Sequence, residues 1–189
     1  MKTDIPRIAF DLDGCIADTL PVILKTVFDK FKIKVNKDDM KHFELERNVD
    51  ELSPSQVHSC VTDAIGKVNQ IKLIPGAIEF LTKYHKASNR IIQIITARGE
   101  HDAEATTEWL DKNFNGVPYS FVGTKQKSEA CSALGIDYFV EDRAKYARQI
   151  SSVGTTVLLL DYLWNKHLPE SDSIIRMKNW KEIDKYFNF

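Results

Sequence analysis

Residues 7–14 read Arg7-Ile8-Ala9-Phe10-Asp11-Leu12-Asp13-Gly14, a short apolar run that stops at two carboxylates and a glycine. A run of this length, apolar at successive positions, predicts a strand buried on both faces. Comparable β-rich runs recur at 91–95, 120–122, 138–140 and 155–160. Helix-like stretches at 77–85, 103–112, 128–134 and 144–150 separate them. Strand and helix therefore alternate, which predicts an α/β fold: a three-layer, Rossmann-like parallel sheet sandwiched by helices. Ligands of open sheets of this kind sit beyond the carboxyl ends of the strands, so the residue after each run is a candidate for chemistry.

One interval breaks the rhythm. The first strand closes at Phe10 and the second opens near Arg90, whereas a complete strand–helix–strand crossover needs only about 30 residues. The surplus predicts a helical insertion, with helices over 20–31, 38–47 and 54–68, the last opened by Ser53-Pro54. Pro75-Gly76 marks the return to the sheet. The expected division is a core of 1–14 with 76–189 and a small cap of 15–75. The cap carries nine basic and nine acidic residues, and a neutral cap over a cleft suits a small ligand better than a polymer. At the other end, 173–177 predicts an edge strand and 179–186 a closing helix with Asn179 as its N-cap.

The chain has 189 residues, 26 Lys+Arg against 27 Asp+Glu, and 43% hydrophobic residues. That fits one globular domain with an inserted subdomain. The longest uninterrupted apolar run, 157–160, is too short to span a membrane. An acid, a proline and a base occupy the first seven residues, where a secretory apolar region would lie. Three cysteines at unrelated spacings suggest neither a disulfide framework nor a zinc knuckle, so a reducing cytoplasmic setting is expected. Balanced charge without a basic block argues against polymeric nucleic acid or a membrane surface as partner.

Four strand ends carry candidate groups. Asp11 and Asp13 crowd two anions unless a cation joins them, although Asp-Gly also suits an exposed turn. Thr96-Ala97-Arg98-Gly99 offers a hydroxyl and small residues through which backbone N–H groups can approach an anion, or alternatively an ordinary helix cap. Lys125 and Lys127 follow the third strand, and Glu141, Asp142 and Arg143 the fourth. Each element alone has a bland structural reading. Taken in order, the carboxylates Asp11, Asp13 and Asp142 supply oxygen ligands for a hard divalent cation, a lysine balances charge and Thr96 holds a phosphoryl oxygen. The set predicts a site for Mg2+ and phosphate.

This ordered set resembles the haloacid dehalogenase superfamily of phosphohydrolases over about residues 5 to 187. Asp11-Leu12-Asp13-Gly14 matches its first motif, Thr96 its second, a lysine at 125 to 127 its third and Glu141-Asp142 its fourth. The cap position and Glu141-Asp142-Arg143 resemble the 5'(3')-deoxyribonucleotidase branch and related nucleotidases. The resemblance implies that Asp11 is a nucleophile forming an aspartyl-phosphate and Asp13 a general acid and base. It further implies that Thr96, Ala97 and a lysine bind phosphate, and that Mg2+ is held by Asp11, Asp13, Asp142 and Glu141. Lys127 is the expected catalytic lysine because it starts the 128–134 helix, with Lys125 also beside the phosphate. Glu141, longer than the usual aspartate, is expected to reach the metal through a water, and Cys15, where the family usually has Thr or Val, is expected to serve packing.

The implied substrate is a small phosphomonoester, foremost a nucleoside or deoxynucleoside monophosphate, with a sugar phosphate as runner-up. A dehalogenase would not need Asp13 and Asp142, and a phosphotransfer receiver domain would lack the insertion. A non-catalytic phospho-ligand binding protein on the same fold is the alternative of a different class. Phe28, Phe43 and Arg47 are cap positions that could face a leaving group, although Phe28 has the spacing of plain core. Arg98 is expected to pair with Glu100, Asp102 or Glu104, and His101 to be exposed without a partner. Oligomeric state is not legible.

Overall fold

The computed structural model describes residues 5–189. Six parallel strands form the main sheet: β1 (Ile8–Phe10), β4 (Ile92–Thr96), β5 (Tyr119–Gly123), β6 (Tyr138–Glu141), β7 (Thr156–Leu160) and β8 (Ile174–Met177). Their spatial order is β5-β4-β1-β6-β7-β8, so β1 lies between β4 and β6. That order reverses direction at β1, the kind of switch point where strand ends diverge and leave a crevice. Phe10 pairs with Ile94 on one side and Val140 on the other, which brings the residues following all three strands close together.

The strand pattern is continuous rather than alternating because both faces are covered. Ile8, Phe10, Ile92, Ile94, Val140 and Leu158 pack in the core that includes α3 (Ala77–Ser88), α4 (Ala103–Phe114) and α7 (Trp180–Phe187). Ala9, Ile95, Phe139, Val157 and Leu159 pack in the opposite core with α5 (Lys127–Leu134) and α6 (Ala144–Ser151). Trp180 ties the closing helix to β1. Its ring lies 6.0 Å from Phe10 and 5.4 Å from Phe80, and its indole N–H donates to the Cys15 carbonyl at 2.8 Å. As expected, Asn179 caps α7, its side chain accepting from the N–H groups of Lys181 and Glu182.

Between β1 and α3 the chain makes the insertion. It leaves and returns through a two-stranded antiparallel ribbon, β2 (Ala17–Asp18) with β3 (Lys72–Leu73), which sequence periodicity did not reveal because two residues carry no period. Helix α1 (Leu20–Phe31) begins with Pro21 in its first turn and ends at left-handed Lys32. Helix α2 (Pro54–Ile65) begins with a reciprocal capping box between Ser53 and Gln56. It stops at Ile65, three residues short of the predicted end, where Gly66 supplies the C-cap.

The helix predicted over 38–47 does not form. Single 3-10 turns at Lys37–Asp39 and Leu45–Arg47 stand in its place. The Asn48 side chain accepts from the N–H groups of Lys41 and His42 and donates to the carbonyls of His42 and Glu44, so it takes backbone groups that a helix would have paired. This irregular path still buries Met40 and Leu45 with Leu24, Val27, Leu52, Cys60 and Trp164 in a separate small core.

Trp180→Ala should lower stability by about 3–5 kcal/mol, the usual cost of truncating a fully buried large aromatic. The exposed Ile91→Ala should change it by less than about 0.5 kcal/mol. Urea unfolding of both variants checks the contrast.

Candidate active site

Asp11 follows β1 and continues its ladder, donating its N–H to the Val140 carbonyl at 2.9 Å. The chain then turns sharply, with the Ile16 and Ala17 N–H groups both returning to the Leu12 carbonyl. Gly14 sits inside this turn at φ 78°, and a Cβ there would stand 2.5 Å from Asp142 Oδ2. Only glycine accepts that backbone angle and lets the loops after β1 and β6 approach so closely.

Lys127, at the start of α5, is fully buried and bridges two anions: its ammonium lies 2.9 Å from Asp11 Oδ1 and 2.8 Å from Glu141 Oε2. Burial works against its charge, but the fields of Asp11 and Glu141 outweigh it and raise its pKa. Its ammonium also lies 4.5 Å from the Tyr146 ring centre. The second oxygen of Glu141, Oε1, accepts from the backbone N–H groups of Asp142 and Arg143 at 3.0 Å each. Burial disfavours ionised Glu141, yet Lys127 and these bonds hold its pKa below the ordinary value.

Both Glu141 oxygens are thus committed within the protein. In this geometry Glu141 anchors Lys127 and the Asp142 turn. Asp142 differs. Its Oδ1 is, among the described residues, the buried side-chain polar atom with no hydrogen-bond partner. Burial, with the charges of Glu141 and Asp11, drives its pKa well above the ordinary carboxylate range. Asp11 is also pushed up, to about 8, first by burial and then by Glu141, with Lys127 opposing.

Asp11, Asp142 and Cys15 offer ligand atoms all within 4.8 Å of one another. Asp11, which shares Lys127 with Glu141, and Asp142, with its orphaned oxygen, fit a divalent cation. Burial at 0% exposure agrees with the packing role expected of Cys15. Its fully buried thiol is pushed well above the ordinary value by burial and then by Asp142, so it stays an S–H group and a poor ligand for a hard ion.

Asp13 has different partners. Its Oδ2 accepts from Arg98 Nε at 2.8 Å, and its Oδ1 from Arg98 Nη2 at 2.7 Å and from the Thr19 hydroxyl. Desolvation opposes its charge, but Arg98 and Thr19 prevail and hold its pKa below the ordinary value. This corrects the expected partner of Arg98: the guanidinium crosses 85 residues to Asp13 and also donates to Thr106 Oγ1 at 3.1 Å. His101 is exposed, as expected, but its Nε2 lies 3.3 Å from Asp102 Oδ2.

Thr96, at the end of β4, is buried and accepts from the Arg98 N–H at 3.3 Å. With Ala97, Arg98, Asp11, Asp13, Asp142 and the exposed Lys125 it lines a cavity of about 470 Å³. The opposite wall comes from the insertion and includes Leu20, Ile23, Met40, Phe43, Val57 and Val61. Phe43 therefore faces the cavity, whereas Phe28 and Arg47 do not line it. Lys127 is shielded behind Asp11, and Lys125 stands at the cavity wall without touching this cluster.

Sequence reasoning missed Thr19, the reach of Arg98 and the segment Tyr162 to Asn165. That segment follows β7, another strand end, and its position was the one available signal.

A doubly wound sheet with these groups at the ends of β1, β4 and β6 defines a phosphohydrolase of the haloacid dehalogenase type. The same architecture recurs in CbbY from Rhodobacter sphaeroides in complex with phosphate, with a TM-score of 0.64 and 14% identity over 95% of this chain and 96% of that one. It recurs in a haloacid dehalogenase-like hydrolase from Streptococcus pneumoniae, with a TM-score of 0.68 and 15% identity over 98% and 99%. Residues 4–187 match the family of 5' nucleotidase, deoxy (Pyrimidine), cytosolic type C proteins, and the chain belongs to that NT5C family of nucleotidases. "Putative nucleotidase YqfW" of Bacillus subtilis is 27% identical over 186 residues, 96% of this chain and 93% of that protein. A nucleotidase of Clostridium acetobutylicum is 32% identical over 115 residues, 59% of this chain and 57% of that protein. Among the described residues no helix is long and apolar enough to cross a membrane.

The raised pKa of Asp11 has a signed consequence for the metal-free protein. From about pH 4 to pH 8 the unfolded chain has already released this proton while the folded chain keeps it, so stability falls as pH rises. Asp142, shifted in the same direction, adds to the slope. Denaturant midpoints in chelator should be lower at pH 8 than at pH 5, with a flatter dependence in Asp11→Asn. An equal or steeper slope in that variant would contradict the assignment.

Proposed function

We propose that this protein is a Mg2+-dependent phosphomonoesterase that hydrolyses nucleoside or deoxynucleoside monophosphates through an aspartyl-phosphate on Asp11. The observation that carries this reading is the pairing of cavity-lining Asp11 with the Lys127 shielded behind it, beside the orphaned Asp142 oxygen. Residues 15–75 act as the cap over a core of 5–14 and 76–189; residues 1–4 of the expected core lie outside the described residues.

In the proposed reaction an Asp11 oxygen attacks phosphorus, the bond from phosphorus to the leaving oxygen breaks, and Asp13 gives that oxygen a proton. Water then attacks the phosphorus, Asp13 takes the water's proton, and inorganic phosphate leaves Asp11 free. Lys127 keeps Asp11 oriented and offsets the charge gathering around it. The Thr96 hydroxyl and the N–H groups around Ala97 orient phosphoryl oxygens, and Lys125 adds positive charge at the wall. Asp13 is held ionised by Arg98 and Thr19 before substrate enters, so it must loosen from them and take up a proton, from solvent or from a protonated substrate phosphate, before it acts as the acid, and Asp11 must release its own proton before it attacks. Asp11, Asp142 and the Asp13 carbonyl would hold Mg2+. When bound, the ion neutralises charge on the carboxylates and the phosphate.

Three features support a nucleoside leaving group. The cavity volume lies in the range of small-molecule sites, its cap wall is largely apolar with Phe43 available to a flat base, and the curated relatives are described as nucleotidases.

Phosphate release should be measured over nucleotides, deoxynucleotides and sugar phosphates, with and without Mg2+. Nucleotides should be the better substrates, chelator should abolish turnover, and Asp11→Asn should lower kcat by at least about 10³-fold, the scale of losing a nucleophile. Preference for sugar phosphates would overturn the nucleotide reading alone. An inert wild type would overturn the hydrolase reading.

A further inference from the structure

Beyond the carboxyl end of β7 the chain reads Asp161-Tyr162-Leu163-Trp164-Asn165, with a 3-10 turn at Leu163–Asn165. None of these residues has a role in the chemistry proposed above, yet their polar atoms converge on the two loops that form the carboxylate pocket. The Tyr162 hydroxyl donates to the Gly14 carbonyl at 3.0 Å. The Trp164 indole N–H and the Asn165 Nδ2 both donate to the Asp142 carbonyl, at 3.1 and 2.7 Å. Asn165 is fully buried and Trp164 nearly so.

The turn is itself held from behind. Asn165 Nδ2 also donates to the Leu160 carbonyl at 2.7 Å, and its Oδ1 accepts from Arg176 Nη1 at 2.7 Å. That same Arg176 nitrogen reaches Asp161 Oδ1 at 2.8 Å, and Arg176 Nη2 donates to the Leu168 carbonyl at 2.7 Å. Asn165 therefore connects β7 and β8 to the peptide of Asp142. The Trp164 ring also belongs to the small core of the insertion, with Leu24, Met40 and Leu45. It stacks on Tyr162 at 4.3 Å and meets the edge of Phe43 at 6.4 Å.

A carbonyl that accepts two buried donors has its peptide plane fixed, and with it the direction in which the residue's side chain leaves the backbone. For Asp142 that direction puts Oδ2 over Gly14 and leaves Oδ1 without a protein partner. The energetic value of a metal ligand depends on such outer contacts, because a ligand already in place loses no freedom when the ion arrives. We propose that Trp164 and Asn165 are positioning residues for Asp142, and that their hydrogen bonds to its carbonyl set the affinity of the site for a divalent cation. This rests on the reading of Asp142 as a cation ligand. It adds that the seat of the cation and the packing of the cap share one turn.

The test uses the full-length protein and Mn2+ alone, with free Mn2+ followed by electron paramagnetic resonance. Trp164→Phe removes one donor and keeps an aromatic ring against Tyr162 and Phe43. Asn165→Asp removes the Nδ2 donor and keeps an acceptor for Arg176. Thr155→Val, which removes a buried hydrogen bond to the Ile136 carbonyl far from the pocket, serves as the control for a merely structural loss.

Asn165→Asp should weaken Mn2+ binding by about 10–100-fold, Trp164→Phe by a smaller factor, and Thr155→Val not at all. In phosphate release, the Mg2+ needed for half-activation should rise in the same order, with kcat recovered at saturating metal. If Asn165→Asp does not fold, Trp164→Phe decides. Folded variants that bind Mn2+ within about twofold of wild type would overturn the positioning role while leaving the cation reading intact. So would Thr155→Val weakening binding as much as they do. A wild type that binds no Mn2+ would overturn both.

Discussion

The buried ammonium of Lys127 between Asp11 and Glu141 is the contact on which the rest of the site depends. Asp11 and Glu141 follow or end adjacent strands, β1 and β6, so the sheet itself forces their carboxylates together. Four acids crowd these two loops, Asp11, Asp13, Glu141 and Asp142, and two cations, Lys127 and Arg98, bond directly to three of them. Two negative charges remain if all four ionise. In a buried pocket that surplus is resolved by protonation or by a divalent cation, and burial together with the neighbouring carboxylates pushes Asp11 and Asp142 in the direction of protonation. The same surplus makes the pocket a receptor for a dication.

The two cations divide the labour by geometry. Lys127 presents a single ammonium to one oxygen from each of two carboxylates, which leaves Asp11 with a second oxygen for chemistry. Arg98 grips both oxygens of Asp13 with a planar fork. One acid is thus oriented and kept available, and the other is stored ionised until something competes for its partner. Two aspartates two residues apart in sequence acquire opposite protonation tendencies from these neighbours in the metal-free protein, and the proposed reaction needs both reversed: Asp11 ionised to attack and Asp13 protonated to serve as the acid.

The sheet was legible in the sequence because its strands are buried on both faces: runs such as Tyr138-Phe139-Val140 can be little else when helix-like stretches flank them. The insertion was legible from length alone. Its middle was not, since Asn48 satisfies backbone groups through a local side-chain network that periodicity cannot register. The ribbon of β2 and β3 was too short for any pattern. At the site, residues directly after strands were found because topology places them, whereas the partnership of Arg98 with Asp13 and the commitment of Glu141 to Lys127 depend on rotamers and distances across 85 and 14 residues.

Placing the cap between β1 and β4 has a mechanical result that follows from connectivity. The chain that supplies Asp11 and Asp13 runs through the Gly14 turn directly into the β2 and β3 ribbon, and Thr19, which bonds Asp13, immediately precedes α1. Any tilt of the cap must therefore act on Thr19 and on the grip around Asp13. On the far side the cap leans on Trp164, whose indole N–H bonds the carbonyl of Asp142, and Glu44 meets Arg143 at 3.1 Å. The walls of the cavity are thus attached to both carboxylate loops, so the contacts that hold the insertion in place are also contacts that hold the acids.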